Sequence, residues 1–282
     1  MKKGLVLEGG AMRGMYTAGV IDVLMENNIE FDGIIGVSAG AAFGCNYKSK
    51  QPGRAIRYNK NYCNDKRYVS LRNLITTGDL YGVDFCYRQL PDELDIFDTE
   101  TFKSSPMEFY ATCTDALTGE PVYHKCETGG KEDIQWFRAS ASMPLASNIV
   151  RIGDYHLSDG GTADSIPLKY FQSIGYEKNI VVLTQPEGYV KKKNSLIPLM
   201  KIMLRKYPAL VEACATRHIR YNETLEYIKK QVAENNILVI QPKEKLLVNH
   251  VEHDKDKLEI TYQTGRCDAL EKLCEINDFL NS

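Results

Sequence analysis

Three short segments of the chain carry the residue types that acyl transfer needs. The first is Gly36-Val37-Ser38-Ala39-Gly40, set between an apolar run (31–36) and a run of small residues (38–44). A strand that turns sharply into a helix at such a G-x-S-x-G holds the serine hydroxyl out at the strand's exit, and Gly36 and Gly40 permit close packing around it. The dipole of the following helix favours a developing alkoxide. The second segment is Glu8-Gly9-Gly10-Ala11-Met12-Arg13-Gly14. Its glycines let backbone approach a ligand, and N–H groups at a helix start suit negative charge, here the oxyanion of a tetrahedral intermediate. Such donors contribute roughly 2.7–4 kcal/mol each. The segment matches neither G-x-G-x-x-G nor G-x-x-x-x-G-K-[ST], so nucleotide binding fails on spacing. The third is Ser158-Asp159-Gly160-Gly161. Alone it reads as a turn, but beside a serine nucleophile its carboxylate serves as base if burial raises its pKa.

In order and approximate spacing, these three segments resemble the patatin-like phospholipase family, from about Leu5 to Ile166. The resemblance implies a three-layer α/β/α fold with a mostly parallel central sheet. It also implies a Ser–Asp dyad rather than a triad, and lipid acyl ester hydrolysis with no metal and no cofactor. Carried over by position, Ser38 becomes the nucleophile and Asp159 the base. The amides of Gly9, Gly10 and Ala11 become the oxyanion hole, with Arg13, Gly14, Gly36, Gly40, Gly160 and Gly161 supporting the loops. One residue departs from the family pattern: Ala11 stands where a third glycine is usual. Its N–H is kept, and the hole survives unstrained if φ there is negative; a positive φ would store roughly 1–3 kcal/mol. A single patatin-like domain over 1–282 is expected, with core motifs in 4–168 and the remainder, 169–282, completing it.

The histidines offer a rival triad. His156 lies three residues before Asp159, and His218, His250 and His253 follow it, in the order an α/β-hydrolase would use. His250-x-x-His253 lacks the further ligands of a zinc site, so all four are read as structural or solvated. Arg13 suits a phosphate fork, but an arginine in such a loop more often holds backbone. The same nucleophile could serve acyl transfer, and a catalytically silent lipid-binding or regulatory protein is a reading from a different class. The presence of Ser38, Asp159 and the glycine loop together argues against the silent reading.

These groups must be positioned by secondary structure. Residues 3–8 read as a buried strand, 12–27 as a helix, 31–36 as a second strand, and a second helix opens after Ser38, a pattern of parallel strands covered by helices. Further on, 53–65 reads as helix and the aromatic-rich 70–105 as a cap or lid. Strands are expected at 107–114 and 121–125, joined at Leu117–Glu120, then a helix at 131–141 and a hairpin over 149–157 turning at Gly153-Asp154. Helices near 167–174, 208–234 and 266–281 and strands at 179–184 and 237–241 complete the reading. Lys191-Lys192-Lys193 followed by Ser195–Tyr207 joins cations to a Leu/Ile/Met run. Residues 191–207 are thus either a segment touching anionic membrane or a packed helix with a solvated basic end, the commoner case.

With 43% hydrophobic and 26% charged residues, the chain has the composition of a folded globular protein. Its net charge of −2 supplies no field for nucleic acid, and no nucleic-acid-binding motif is present. The eight cysteines are irregularly spaced without CxxC, and no signal peptide or 18-residue apolar run is seen. A reduced, cytoplasmic protein, free or peripheral to the membrane, is expected; the oligomeric state is not legible.

Overall fold

Leu5 and Leu7 face one hydrophobic cluster and Val6 faces another, and the same split divides Ile34 from Ile35 and Ile180 and Val182 from Val181. Strands with both faces covered in this way belong to the middle layer of a three-layer structure. The computed structural model describes residues 1–281 and arranges them around one eight-stranded sheet. Strands β1 (Lys2–Leu7), β2 (Gly33–Val37), β3 (Glu108–Asp115), β4 (Pro121–Cys126), β5 (Val150–Ile152), β6 (Tyr155–Asp159), β7 (Tyr176–Val182) and β8 (Ile237–Ile240) follow in chain order. Their spatial order is β5-β6-β3-β2-β1-β7-β8, with β4 also on β3. The run β3-β2-β1-β7-β8 is parallel, and β4, β5 and β6 attach antiparallel at one side.

One face carries helices α1 (Gly14–Glu26), α2 (Ala39–Lys48), α3 (Arg54–Tyr62) and, from the far end of the chain, α10 (Lys255–Glu271). The other carries α7 (Leu168–Ser173) and the long α9 (Pro208–Ala233). The remaining helical elements are α4 (Leu71–Thr77), a π-helical segment at Phe85–Leu94, α5 (Thr99–Ser104), α6 (Lys131–Ser140), α8 (Ile197–Met203) and the terminal α11 (Leu273–Asn281). The expected closing helix at 266–281 is corrected: α10 begins at the Asp254 cap, whose side chain accepts from the N–H groups of Asp256 and Lys257, and a separate helix follows Lys272. Gly265 does not end α10. A Cβ on it would stand 2.0 Å from the Tyr16 carbonyl, so the glycine is there to let α10 lie against α1. Tyr16 Oη donates to Asp268 and Tyr262 Oη to Asp22 across the same contact. No helix among the described residues is long and apolar enough to cross a membrane.

Candidate active site

The register along β3 brings together segments more than a hundred residues apart. Strand β2 pairs with β3 as far as Val37 opposite Thr112, and β6 pairs from Asp159 opposite Cys113. Since β4 holds the other edge of β3, β6 continues the edge that β2 leaves, and Asp159 follows directly beyond Val37 and Ser38. Ser38 then turns the chain from β2 into α2 with φ 54° and ψ −119°. A non-glycine residue in that region stores roughly 1–3 kcal/mol. The turn is pinned by Ser140 at the end of α6, whose hydroxyl accepts from the Ser38 N–H at 2.8 Å and donates to the Thr112 carbonyl at 2.6 Å. Sequence reasoning missed Ser140, and nothing in its neighbourhood could have signalled it.

Asp159 is buried. Its backbone is held by Ser142 and by Thr114, whose hydroxyl donates to the Asp159 carbonyl at 2.8 Å. Its carboxylate accepts from the Gly161 N–H at 2.8 Å, and the Ser38 hydroxyl lies beside it. Desolvation raises its pKa above the usual carboxylate value; Arg217, the Ser38 hydroxyl, the Gly161 N–H and Lys191 pull the other way. Gly160 is required where it stands, since a Cβ would meet the Thr112 carbonyl at 2.0 Å.

The glycine loop runs from the end of β1 over Ser38. A Cβ on Gly9 would lie 2.9 Å from the Val37 carbonyl and 3.0 Å from Ser38 Cβ, so the loop backbone touches the elbow. Among the described residues, the N–H groups of Gly9, Gly10 and Ala11 have no acceptor within the protein. Ala11 adopts φ 48°, the strained case for a residue with a Cβ. Glu8, to which sequence reasoning gave no role of its own at the head of the glycine segment, anchors this loop. Its carboxylate accepts from the Thr184 N–H at 2.6 Å and from Tyr221 Oη at 2.6 Å, tying β1 to the loop after β7 and to α9. Gly14 packs on the first turn of α2, its Cβ position 2.7 Å from Ala39 Cβ. Arg13 departs from the expected backbone-holding role, because its Nε is buried with no partner.

A cavity of about 130 Å³ starts at Ser38, Ala11 and Met12. Its walls are largely apolar: Phe43, Tyr58, Leu90, Phe97, Ile134 and Phe137 line it. The 70–105 region, expected as a cap, supplies much of one side through Tyr81, Val83, Tyr87 and Pro91. Among the described residues no histidine side chain hydrogen-bonds Ser38 or Asp159. His156 meets Tyr207, His253 hydrogen-bonds the Cys63 carbonyl, and His218 Nδ1 is buried without a partner. His250 is exposed and faces Arg13, Lys191 and Arg217. Elsewhere, His124, Cys126 and Asp133 bring ligand-type atoms within 4.8 Å of one another. Asp133 is already taken by the N–H groups of Thr128 and Gly129, and the Lys48 ammonium beside it opposes a cation. Lys191 leaves the solvated basic run to which the sequence assigned it: it is only partly exposed, and desolvation followed by repulsion from Arg217 lowers its pKa to about 8.

Residues 207–281 match a domain of unknown function, DUF6363. YjjU of Escherichia coli strain K12 is 30% identical over 64% of this chain and 52% of its own length. Lysophospholipase nte1 of Aspergillus oryzae is 29% identical over 61% of this chain and 11% of its own, and the NTE family protein Mb1092c of Mycobacterium bovis is 26% identical over 63% and 48%. The chain thus spans about half the length of YjjU and Mb1092c and a small part of nte1. The elbow, the glycine loop and the Asp159 turn all fall in residues 5–171, which match the family described as patatin-like phospholipase, and the chain belongs to that family.

Proposed function

We propose that the protein is a serine hydrolase of lipid acyl esters. The observation that carries this reading is the contact of the Ser38 hydroxyl with a buried carboxylate whose pKa is raised, beside three backbone N–H groups without acceptors. Ser38 Oγ attacks the ester carbonyl as Asp159 takes its proton. The amides of Gly9, Gly10 and Ala11 hold the oxyanion, and their preformed orientation costs no reorganisation at the moment of reaction. The alcohol leaves with a proton from Asp159. Water, activated by the same carboxylate, then attacks the acyl-Ser38 ester and frees the acid. The acyl chain occupies the apolar cavity that opens at Ser38. A relative named lysophospholipase supports a lipid ester as substrate.

Labelling with a fluorophosphonate, mapping of the modified residue and assay of p-nitrophenyl esters of graded chain length test the mechanism. Label on Ser38 and a rate fall of about 10⁴-fold or more in Ser38→Ala and Asp159→Asn are expected. A labelled residue other than Ser38, or turnover by either variant, overturns it; binding of lipid without labelling or turnover favours a silent protein.

Residues 191–207 fit an interfacial role. Leu196, Leu199, Ile202 and Met203 are exposed on and beside α8, while Ile197 and Met200 pack inward. Lys192, Lys193, Lys201, Arg205 and Lys206 are exposed around them, a combination suited to anionic membrane. Neutralising Lys201, Arg205 and Lys206 should weaken vesicle binding at low salt; binding that ignores both the variant and the salt ends this part of the reading. All eight cysteines are free thiols, in keeping with the cytoplasm. The β7–β8 pairing and the α1–α10 contact support one folding unit for the whole chain.

A further inference from the structure

Arg217 and Lys191 lie near Asp159 and Arg13 near Lys191, and none of these three cations has an ion-pair partner among the described residues. Arg217 and Tyr221 lie four residues apart on α9 and so share a face. One Cβ position, on Gly161, lies 2.9 Å from Arg217 Nη2 and 3.0 Å from Asp159 Oδ1, which sets the guanidinium beside the carboxylate. Lys191 is clamped by its backbone to Asn222, donating at 2.8 Å and accepting at 3.1 Å. Its ammonium sits 4.5 Å from the centre of the Tyr221 ring. Arg13 comes from the glycine loop with a buried, unpartnered Nε, and His250 arrives from the loop after β8.

The neighbouring carboxylates balance this group only in part: Glu8 and Asp159 each favour the Lys191 ammonium, but two anions face three cations. Arg217 and Arg13 depress the Lys191 pKa, and Arg13, Lys191 and Arg217 add to the desolvation that depresses His250. Like charges held together in partial burial cost stability unless an anion joins them. None of the four lines the apolar cavity. Arg217 and Lys191 thus lie near Asp159 but outside that cavity, a position suited to the alcohol portion of an ester whose acyl chain fills the cavity. Three of the four, Lys191, Arg217 and His250, lie beyond the 5–171 match.

We infer that Lys191, Arg217 and Arg13 form a phosphate subsite for the leaving alcohol, selective for a terminal phosphate monoester over a choline-type diester. The selectivity follows from charge and from what is already occupied. A phosphate monoester carries about −1.5 to −2 at neutral pH and suits guanidinium forks. A quaternary ammonium seeks an aromatic face, but that of Tyr221 is covered by the Lys191 ammonium. The inference rests on the ester hydrolase reading above.

The test compares hexanoyl esters of glycerol 3-phosphate, glycerophosphocholine and glycerol as soluble monomers, so that membrane attraction does not enter. Wild-type kcat/KM should favour the phosphate monoester over both others by about tenfold or more. Lys191→Met and Arg217→Met should each shrink that ratio by roughly ten- to a hundredfold, the span of one charge-assisted hydrogen bond, and Lys191→Arg should restore most of it. Ratios unchanged in the variants, or equal rates on the monoester and the choline ester, overturn the inference. So does a Lys191→Met variant that loses the neutral ester as completely as the phosphate ester, since Lys191 would then act in the chemistry. Should wild type cleave none of the three esters, the hydrolase reading fails, and titration of Ser38→Ala with inorganic phosphate and glycerol 3-phosphate, read at the His250 ring by NMR, decides the subsite. Saturable shifts lost in Lys191→Met support it, and their absence overturns it; a response to inorganic phosphate alone would assign a free-anion site rather than a lipid headgroup site and overturn the leaving-group role.

Discussion

Replacing Gly40 by alanine tests whether the elbow depends on backbone contact between α2 and β1. A Cβ there would stand 2.4 Å from the Leu7 carbonyl oxygen and 2.9 Å from that of Glu8. Both obstacles are backbone, one in the central sheet and one opening the glycine loop, so neither can rotate aside. Reaching the 3.0–3.4 Å at which tight contacts occur requires the first turn of α2 to move from β1 by several tenths of an ångström. Overpacking of this kind costs about 1–3 kcal/mol, and the gain in helix propensity returns at most about 1 kcal/mol. The expected net loss is about 1–2 kcal/mol, a fall of roughly 2–6 °C in Tm for a chain of this size. The kinetic effect should be larger than the thermal one, because a displacement near 1 Å costs about 10²-fold in rate. Gly44→Ala is the control: its Cβ meets Leu7 Cδ1 at 2.5 Å, a methyl that can turn away, and the next atom is at 3.6 Å. It should keep turnover within a few-fold. Esterase kinetics and thermal unfolding of both variants decide, and a Gly40→Ala protein with wild-type Tm and rate would refute the reasoning.

The strain at Ser38 predicts that Ser38→Gly unfolds at a higher temperature than Ser38→Ala, by about 1 kcal/mol, since relief of roughly 1–3 kcal/mol exceeds the entropic cost of glycine, about 0.5–1 kcal/mol; equal stability would remove the strain from the account. For Asp159, the folded-state pKa is raised above the unfolded value, so the folded protein holds the proton more tightly and the ionised carboxylate is a stability cost above the raised pKa. That cost disappears as pH falls below the ordinary carboxylate value. Asp159→Asn should therefore have a higher Tm than wild type at neutral pH and lose this advantage in acid, while wild-type kcat/KM falls as pH drops through the raised pKa; a Tm difference independent of pH would contradict it. Tyr221→Phe removes the donor to Glu8 Oε1 and should cost about 1–3 kcal/mol in chemical unfolding; an unchanged midpoint would show that the Glu8 anchor is not needed.

The elbow and the Asp159 turn were legible because each is a local pattern with one structural consequence: a strand exit, a glycine contact and a turn. Their meeting was legible only through the family resemblance, since the register of β3 that sets Cys113 opposite Asp159 is a long-range property. The α1–α10 contact escaped for a related reason. The expected helix opened only at 266, whereas Gly265 lies inside α10 at a point of close approach to Tyr16. Ser140 and Glu8 were hidden because a serine at a helix end and a glutamate after a strand announce nothing until their partners, Ser38, Thr112, Thr184 and Tyr221, are in place. Ala11 escaped differently, because only coordinates reveal the sign of φ.

The segment after the Asp159 turn does more than close the sheet. Strand β7 brings Thr184 to the Glu8 carboxylate, α9 brings Tyr221 to the same group and Arg217 to Asp159, and the loop after β7 brings Lys191. Arg217 and Lys191 both act to keep Asp159 ionised against the desolvation that raises its pKa. Their charges set how far a lone carboxylate, without an imidazole between it and the serine, departs from its ordinary acidity. In the proposed mechanism the N-terminal motifs thus supply the reacting atoms, and residues beyond position 171 tune the base among them. Any substrate anion drawn to Lys191 and Arg217 would offset their effect on Asp159 and let its pKa rise further, so that binding a phosphate on the leaving side would make the carboxylate a stronger acceptor for the Ser38 proton.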